Sequence, residues 1–323
     1  MLSIQDTMKS FINCLKGEEG GAFSRFKSWE YCHKAFVDAH KRKKKGEKIG
    51  DKCIDNLALH LAFYLASWGM YRASSFLLQR DYKTHMPVVR IVLEDKYNEL
   101  WNFDPSDAND EKIKRIAGLV CDVCNVIDKS GYCKDGEGIK EKTVIETSKE
   151  DKTKTGENLT VTLKTKIMMG TFGVVPAFDR FFTDGLRRYR KKDNSIKGAG
   201  FNSKRLVEVF LFAKNKKNEL MVANEEAKLS YPVMKLVDMY FWEVGYEAGF
   251  IKQLEAISKY LQENNLQMIE DGKKKKHSLR IFNQIISFAP EVKEKEEGKY
   301  YKKEKIDKTI EVIKKRVEPN ANC

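Results

Sequence analysis

The feature of the sequence that most restricts the fold is the apolar run at residues 57–78, LALHLAFYLASWGMYRASSFLL. Its length would be sufficient for a membrane span. However, the run contains His60 and Arg72, and an ionisable side chain is costly in the hydrocarbon of a bilayer. We therefore interpret residues 55–80 as one long buried helix of a soluble domain, and we expect no membrane partner.

The rest of the chain favours a mostly α-helical fold. Hydrophobic residues make up 41% of the 323 positions, which is enough for a core and excludes a wholly disordered chain. Only six prolines occur, and apolar residues recur at helical spacing in many segments. Further helices are predicted at 88–101, 111–128, 161–171, 179–191, 203–214, 218–227 and 231–247.

Changes in composition divide the chain into four regions. An N-terminal helical region covers 1–130. The segment 131–160 is polar and is predicted to be a loop or linker, and a small β-hairpin is compatible with the sequence near 141–163. A second helical region covers 161–250, and a basic helical appendage covers 251–323. We expect the first and third regions to share one helical core.

The net charge is +13, which favours a polyanionic partner. The N-terminus lacks the pattern of a signal peptide, and the seven cysteines are irregularly spaced, so we expect reduced thiols in a cytoplasmic protein. Cys121 and Cys124 have the spacing of half a zinc site and Cys133 could be a third ligand, but no convincing fourth ligand is found. We predict no metal ion and no other cofactor.

The most informative segment for chemistry is residues 164–190, KTKIMMGTFGVVPAFDRFFTDGLRRYR. A short extended piece, VVPAF, separates two predicted helices and places Asp179 at the start of the second. A carboxylate in that position accepts backbone amide hydrogen bonds and interacts favourably with the helix dipole. The spacing alone leaves two roles open for Asp179, a helix N-cap or a functional carboxylate.

The segment VPAFDRFFTDGLRR resembles the region after the hairpin in helix-hairpin-helix DNA glycosylases, where a proline precedes the catalytic aspartate by three residues. A second stretch, YPVMKLVDMYFWEVG at 231–245, is similar to the closing helix of some glycosylase-like proteins. The hairpin itself is degenerate, because its usual place holds Gly156 without a second glycine. Lys164 and Lys166 lie near the place of the lysine nucleophile of bifunctional members, but neither has the matching spacing. The resemblance therefore carries over Asp179 alone.

The resemblance implies a glycosylase-like helical core and an enzyme that flips a damaged or modified base out of duplex DNA. Asp179 would stabilise positive charge on the sugar and activate a water molecule. Repair of DNA and defence against modified phage DNA are both compatible with such an activity. The predicted contacts to the DNA backbone are Lys164, Lys166, Arg187, Arg188, Arg190 and Lys191.

A substrate-binding group is predicted in the apolar run. Trp68, Arg72 and Ser75 lie at positions i, i+4 and i+7 of the predicted helix and therefore share one face, with Tyr71 within one or two turns of them. Arg72 would then need a partner, either a carboxylate such as Asp238 or a ligand phosphate. Trp242 is included as an aromatic group that can stack on a base. Packing in the core is the alternative role for the aromatic residues.

Two other functions remain open. Arg80 and His85 form an Arg-x4-His pattern that resembles the active-site signature of HEPN ribonucleases, which are all-helical. In that family the two residues act on the RNA phosphate and the 2′-hydroxyl. A non-enzymatic, basic nucleic-acid-binding protein is the third possibility.

Overall fold

The computed structural model describes most of the helical part of the chain. The described residues are 3–8, 11, 27–72, 75–130, 132, 159–191, 193–227 and 230–263, with 268–269, 300–301 and 307. The α-helices are α1 (Lys27–Lys44), α2 (Asp51–Ser67), α3 (Met86–Val92), α4 (Asp110–Lys129), α5 (Val161–Thr171), α6 (Arg180–Arg190), α7 (Ser203–Asn215), α8 (Lys217–Ala227) and α9 (Val233–Glu263). Residues 4–8 are also helical. Short 3₁₀ helices occupy Phe76–Gln79, Tyr82–His85, Asp95–Leu100 and Pro105–Asp107.

The predicted mostly α-helical fold is confirmed for the described residues. Several helices begin where their capping residues predict. The side chains of Asn109, Thr160, Asp179 and Asn202 each accept a hydrogen bond from the backbone amide three residues later. Each cap satisfies a donor that the first turn of a helix leaves without an intrahelical partner.

The prediction of one long helix at 55–80 is wrong for the second half of that range. Helix α2 ends at Ser67, and Gly69 follows with φ of 72°. The Met70 amide donates to the Leu65 carbonyl and the Gly69 amide to the Ala66 carbonyl. This is the Schellman arrangement, in which a glycine in the left-handed region ends a helix. The predicted helix at 88–101 is also divided, because α3 ends at Val92 and a 3₁₀ helix follows.

The described helices share one buried core. Residues from Ile4 to Tyr132 and from Leu159 to Val244 belong to the same hydrophobic cluster, as the prediction of a core built from both regions requires. Helix α5 lies deep in it, since every residue from Leu163 to Thr171 is buried. A search of the described helices finds none that is both long and apolar enough to cross a membrane.

Helices α6 and α9 make the most extensive helix–helix contact, and two glycines allow it. A Cβ atom on Gly185 would lie 2.0 Å from the Phe241 carbonyl oxygen, and one on Gly245 would lie 1.8 Å from the Phe181 carbonyl oxygen. No side chain fits at either distance. The two glycines therefore set how closely α6, which begins after Asp179, approaches α9.

The described strands lie in the C-terminal region. β1 (Met268–Ile269) pairs antiparallel with β2 (Tyr300–Tyr301), with Met268 opposite Tyr301. The hairpin considered near 141–163 falls on residues 141–158, which lie outside the described residues, and on the start of α5. Gly156 of the degenerate hairpin and the greater part of the appendage 251–323 also lie outside them.

Candidate active site

Asp179 is held at the junction between an extended segment and helix α6. Its Oδ1 accepts a hydrogen bond of 3.0 Å from the Phe182 amide. The preceding segment is fixed by side chains from two helices, because the Thr165 hydroxyl accepts from the Phe178 amide at 2.9 Å and Asp238 Oδ1 accepts from the Ala177 amide at 2.8 Å. The side chain of Asp179 is 15% exposed. Asp179 is thus both an N-cap and a mostly buried carboxylate.

Lys166 of α5 faces the second oxygen of Asp179. Its Nζ lies 3.5 Å from Asp179 Oδ2, and the Lys166 side chain is only 5% exposed. The same ammonium group donates to the Trp68 carbonyl at 3.3 Å and lies 5.4 Å from the centre of the Trp68 ring. Because a buried charge is costly unless it is paired, these contacts explain how α5 accommodates a lysine inside the core.

Helix α9 contributes a second buried ion pair to the same cluster. Lys235 Nζ donates to Asp238 Oδ2 at 2.9 Å, and both side chains are less than 10% exposed. Lys235 also lies over the rings of Trp29 and Trp68, at 5.2 and 5.5 Å from their centres. The site therefore contains two carboxylates and two ammonium groups, three of them buried and one, Asp179, mostly buried.

Tyr64 of α2 completes the polar cluster. It is 3% exposed, and burial together with the negative charges of Asp238 and Asp179 raises the pKa of its hydroxyl well above the usual value. The ring packs against Gly170, where a Cβ atom would lie 2.6 Å from Tyr64 Cε1. Among the described residues, no group forms a hydrogen bond with the Tyr64 hydroxyl.

An aromatic cluster flanks the charged groups on one side. The Trp242 ring stacks on Tyr246 at 4.8 Å and meets Phe181 edge-on at 5.2 Å. Trp68 contacts Trp242 at 6.5 Å between centroids. All four residues are only partly buried, so the cluster retains accessible aromatic surface beside the Lys166–Asp179 pair.

The ionisation of the pair is perturbed in the manner of many functional sites. Burial raises the pKa of Asp179, and the charge of Asp238 raises it further, whereas Lys166 and the Phe182 amide oppose the change. Burial lowers the pKa of Lys166, while Asp179 and Asp238 oppose that shift. A carboxyl group with a raised pKa is suited to taking up a proton during a reaction at a pH closer to neutrality.

The structure brings together only part of the predicted substrate-binding group. Trp68 and Trp242 lie in the site. Arg72 is exposed, with its guanidinium carbon 3.3 Å from the position of a Cβ on Gly69, so the expectation that it is a buried charge is wrong. Ser75 caps the 3₁₀ helix Phe76–Gln79, and its hydroxyl accepts from the Leu77 amide.

Tyr71 belongs to a separate buried group around His85. The Tyr71 hydroxyl is hydrogen-bonded to His85 Nε2 at 2.6 Å, and the Tyr132 hydroxyl to His85 Nδ1 at 2.5 Å. His85 is fully buried, and burial lowers its pKa to about 3. Both ring nitrogens are therefore engaged inside the protein, while Arg80 ends the preceding 3₁₀ helix.

The predicted contacts to the DNA backbone divide into two sets. Lys164 and Lys166 lie in the interior, where Lys164 pairs with Asp128 at 2.5 Å, whereas phosphate contact requires a surface position. Arg187, Arg190 and Lys191 are exposed at the C-terminal end of α6, and Arg188 is partly buried there. Arg187 also pairs with Asp184 one turn earlier.

Tyr64 and the Lys235–Asp238 pair belong to the site but were not predicted as functional residues from the sequence. A signal for the pair exists, because Lys235 and Asp238 are opposite charges three residues apart within an otherwise apolar stretch. Charged residues are almost never fully buried unless they are paired. The sequence also contains a signal for the end of α2, because Gly69 is a residue type that commonly ends a helix. The sequence carries no such signal for Tyr64, since one more aromatic residue in an apolar helix is ordinary.

Comparisons with protein-family models, with curated proteins and with solved structures find no match to the chain. In the part of the chain that the structure describes, no group of three or more histidine, cysteine, aspartate or glutamate side chains is arranged to hold a metal ion. Cys121 and Cys124 are free thiols there, and Cys124 is buried.

Proposed function

We propose that the protein is a DNA glycosylase-like hydrolase that excises a damaged or modified base from DNA, with Asp179 as its catalytic carboxylate. The observation that carries the proposal is the Asp179 carboxyl group. It is mostly buried, its pKa is raised, and one oxygen is fixed by the Phe182 amide while the other faces Lys166. The resemblance around VPAFD points to the same residue.

The geometry suits cleavage of an N-glycosidic bond. As the bond between C1′ and the base nitrogen breaks, the base leaves with the electron pair and positive charge develops on the sugar. The fixed carboxylate of Asp179 stabilises that charge. A water molecule then forms the bond to C1′, and Asp179 accepts its proton. Lys166 favours the ionised form of Asp179 that the first step requires.

The surroundings of Asp179 supply two further requirements of the reaction. A flipped base needs flat apolar surface to stack on, and Trp68 and Trp242 offer it next to the charged groups. Phosphate groups need cations, and Arg187, Arg190 and Lys191 are exposed at the far end of α6. They follow Asp179 on the same helix, so those cations lie about 12–18 Å from Asp179 along the helix axis.

No contact of the described residues favours the alternative function, a HEPN-like ribonuclease that uses Arg80 and His85. His85 would have to exchange a proton with RNA, but both of its ring nitrogens are hydrogen-bonded to tyrosines and the side chain is fully buried. Non-enzymatic binding of nucleic acid remains as an outcome of the experiment below.

The test uses duplex DNAs that carry damaged or phage-type modified bases, followed by detection of alkali-labile abasic sites. We expect Asp179→Asn to reduce base release about a thousandfold and to leave DNA affinity unchanged. The asparagine oxygen can still cap α6, so the variant is expected to fold. The matched control is Asp184→Asn, which removes the same charge from an exposed position on the same helix.

Each outcome has a distinct meaning. Equal base release by Asp179→Asn and the wild type would remove Asp179 from the chemistry. DNA binding without abasic sites on any duplex would favour a binding protein. Cleavage of a labelled RNA that is abolished in His85→Ala would move the assignment to a ribonuclease.

A further inference from the structure

Asp238 stands out among the buried charged groups because it makes two different kinds of contact. Its Oδ1 accepts a hydrogen bond from the Ala177 backbone amide, and its Oδ2 accepts one from Lys235. Ala177 lies only two residues before Asp179, in a segment that has no helical or strand hydrogen bonds of its own. Asp238 therefore connects α9 directly to the piece of backbone that carries the candidate catalytic carboxylate.

The residues of the segment 174–178 are all buried, and side chains from two helices form hydrogen bonds with its backbone. The Thr165 hydroxyl accepts from the Phe178 amide, the Thr162 hydroxyl donates to the Phe178 carbonyl at 3.1 Å, and Asp238 holds Ala177. The first two contacts come from α5 and the third comes from α9. Among the described residues, loss of the contact from α9 would leave the segment with side-chain hydrogen bonds from α5 alone, and we expect the Ala177 backbone to shift and Asp179 to shift with it.

Asp238 also acts through its charge. It is a second carboxylate in the same buried cluster as Asp179, and its charge raises the pKa of Asp179. The charged and titratable groups around Asp179 are Lys166 from α5, Asp238 and Lys235 from α9, and Tyr64 from α2. Lys235 compensates the charge of Asp238 at 2.9 Å, as Lys166 does that of Asp179.

We propose that Asp238 is a positioning residue for Asp179, which holds the segment 174–178 through the Ala177 amide and places a second negative charge in the same buried cluster. The proposal rests on the proposed function of Asp179 for its kinetic consequences. Its structural consequences can be measured without any substrate. Lys235 is part of the same arrangement, because it is the buried counter-ion of Asp238.

The charge is tested by following the carboxyl group of Asp179 with ¹³C NMR in protein labelled at aspartate. Its resonance is assigned by its disappearance in Asp179→Asn. In Asp238→Asn, a neutral amide replaces the charge while its oxygen can still accept from Ala177, and the Asp179 midpoint is expected to fall by about one pH unit. In Lys235→Met, the charge of Asp238 is no longer compensated, and the midpoint is expected to rise by a similar amount.

The Asp179 midpoint is expected to shift in opposite directions in Asp238→Asn and Lys235→Met, and this difference distinguishes an effect of the Asp238 charge from a general change in the site. A general loosening of the site would move both variants in the same direction, and that result would overturn the proposal. So would an Asp179 midpoint that is unchanged in Asp238→Asn. If Asp238→Asn does not fold, the rise expected in Lys235→Met still decides. The control is Asp184→Asn, which removes an exposed carboxylate on α6 and is expected to leave the midpoint unchanged.

The hydrogen bond to Ala177 is tested separately by kinetics. Asp238→Ala removes the acceptor as well as the charge, so its kcat should fall at least about tenfold below that of Asp238→Asn, with KM nearly unchanged. Equal kcat values would refute the positioning role. If the wild type releases no base from any DNA, the proposed function fails, whereas the NMR midpoints still decide whether Asp238 controls Asp179.

Discussion

Lowering the pH is expected to destabilise the protein through His85, which is buried between Tyr71 and Tyr132. The usual pKa of 6.5 is lowered to about 3 in the folded protein. Between these two values the unfolded chain binds a proton at His85 that the folded protein does not bind. The contribution of a neutral His85 to stability is therefore fully present above pH 6.5 and is lost progressively as the pH falls toward 3.

The unfolding free energy that is lost at pH 5 depends mainly on protonation of His85 in the unfolded chain. A histidine with an ordinary pKa is almost fully protonated at that pH, while His85 in the folded protein remains neutral. The difference corresponds to about 2 kcal/mol of unfolding free energy lost between pH 7.5 and pH 5. This is a large part of the 5–15 kcal/mol that is typical of a folded domain, roughly a fifth for a protein near the middle of that range.

The assay is urea denaturation followed by circular dichroism at several pH values between 7.5 and 5. The comparison is between the wild type and His85→Gln, which offers a donor and an acceptor to the two tyrosines but does not titrate. The other four histidines are present in both proteins, so their contributions cancel in the difference. We expect the wild type to lose about 2 kcal/mol more than His85→Gln over this range.

The variant Tyr71→Phe tests whether burial or hydrogen bonding is the main cause of the lowered pKa of His85. Tyr71→Phe removes the hydroxyl at His85 Nε2 and should lower stability by about 1–3 kcal/mol at neutral pH. Burial is the main cause of the lowered pKa, so this variant should keep the pH dependence of the wild type. Parallel pH curves for the wild type and His85→Gln would refute the reasoning, because they would mean that His85 takes up its proton without unfolding.

Two further predictions concern the helix crossing and the basic end of α6. Gly245→Ala should destabilise the protein by about 3 kcal/mol in urea denaturation, because its Cβ would lie 1.8 Å from the Phe181 carbonyl oxygen. The control is Gly249→Ala, whose Cβ would lie at an ordinary distance of 3.6 Å from Phe181 Cε1. Equal unfolding free energies for the two variants would argue against the close crossing of α6 and α9. Charge reversal by Arg187→Glu together with Arg190→Glu should weaken DNA binding. The slope of the logarithm of the binding constant against the logarithm of the salt concentration should become shallower by about 0.9 for each phosphate that the protein no longer neutralises. An unchanged slope would mean that the DNA phosphates bind elsewhere on the protein.

Several features of the site could be predicted from local sequence. The helix predicted at 161–171 coincides with α5, and Asp179 caps α6 as its position after VVPAF indicates. Both predictions depend on interactions within a few residues, such as the hydroxyl of Thr160 on the Leu163 amide. The catalytic role of Asp179 stays a prediction, because its N-cap geometry alone is equally compatible with a structural role.

The prediction at residues 68–75 failed because two local signals competed. The apolar run favoured a continued helix, but Gly69 ends α2 with φ of 72°. The consequence for the site is large. In a continuous helix Trp68 would share a face with Arg72 and Ser75, whereas in the structure its carbonyl accepts a hydrogen bond from Lys166.

The sequence by itself determined where most helices begin, that Asp179 opens one of them, and that the chain carries a large excess of positive charge. Only the tertiary structure decided which charges are buried. Lys166 looks like an ordinary helix lysine in the sequence, yet the structure places it inside the core opposite Asp179, which opens the next helix. The physical reason is that a helix cap is a local interaction, whereas Lys166 is stable in the core only because Asp179 and the Trp68 carbonyl reach it from other segments of the chain.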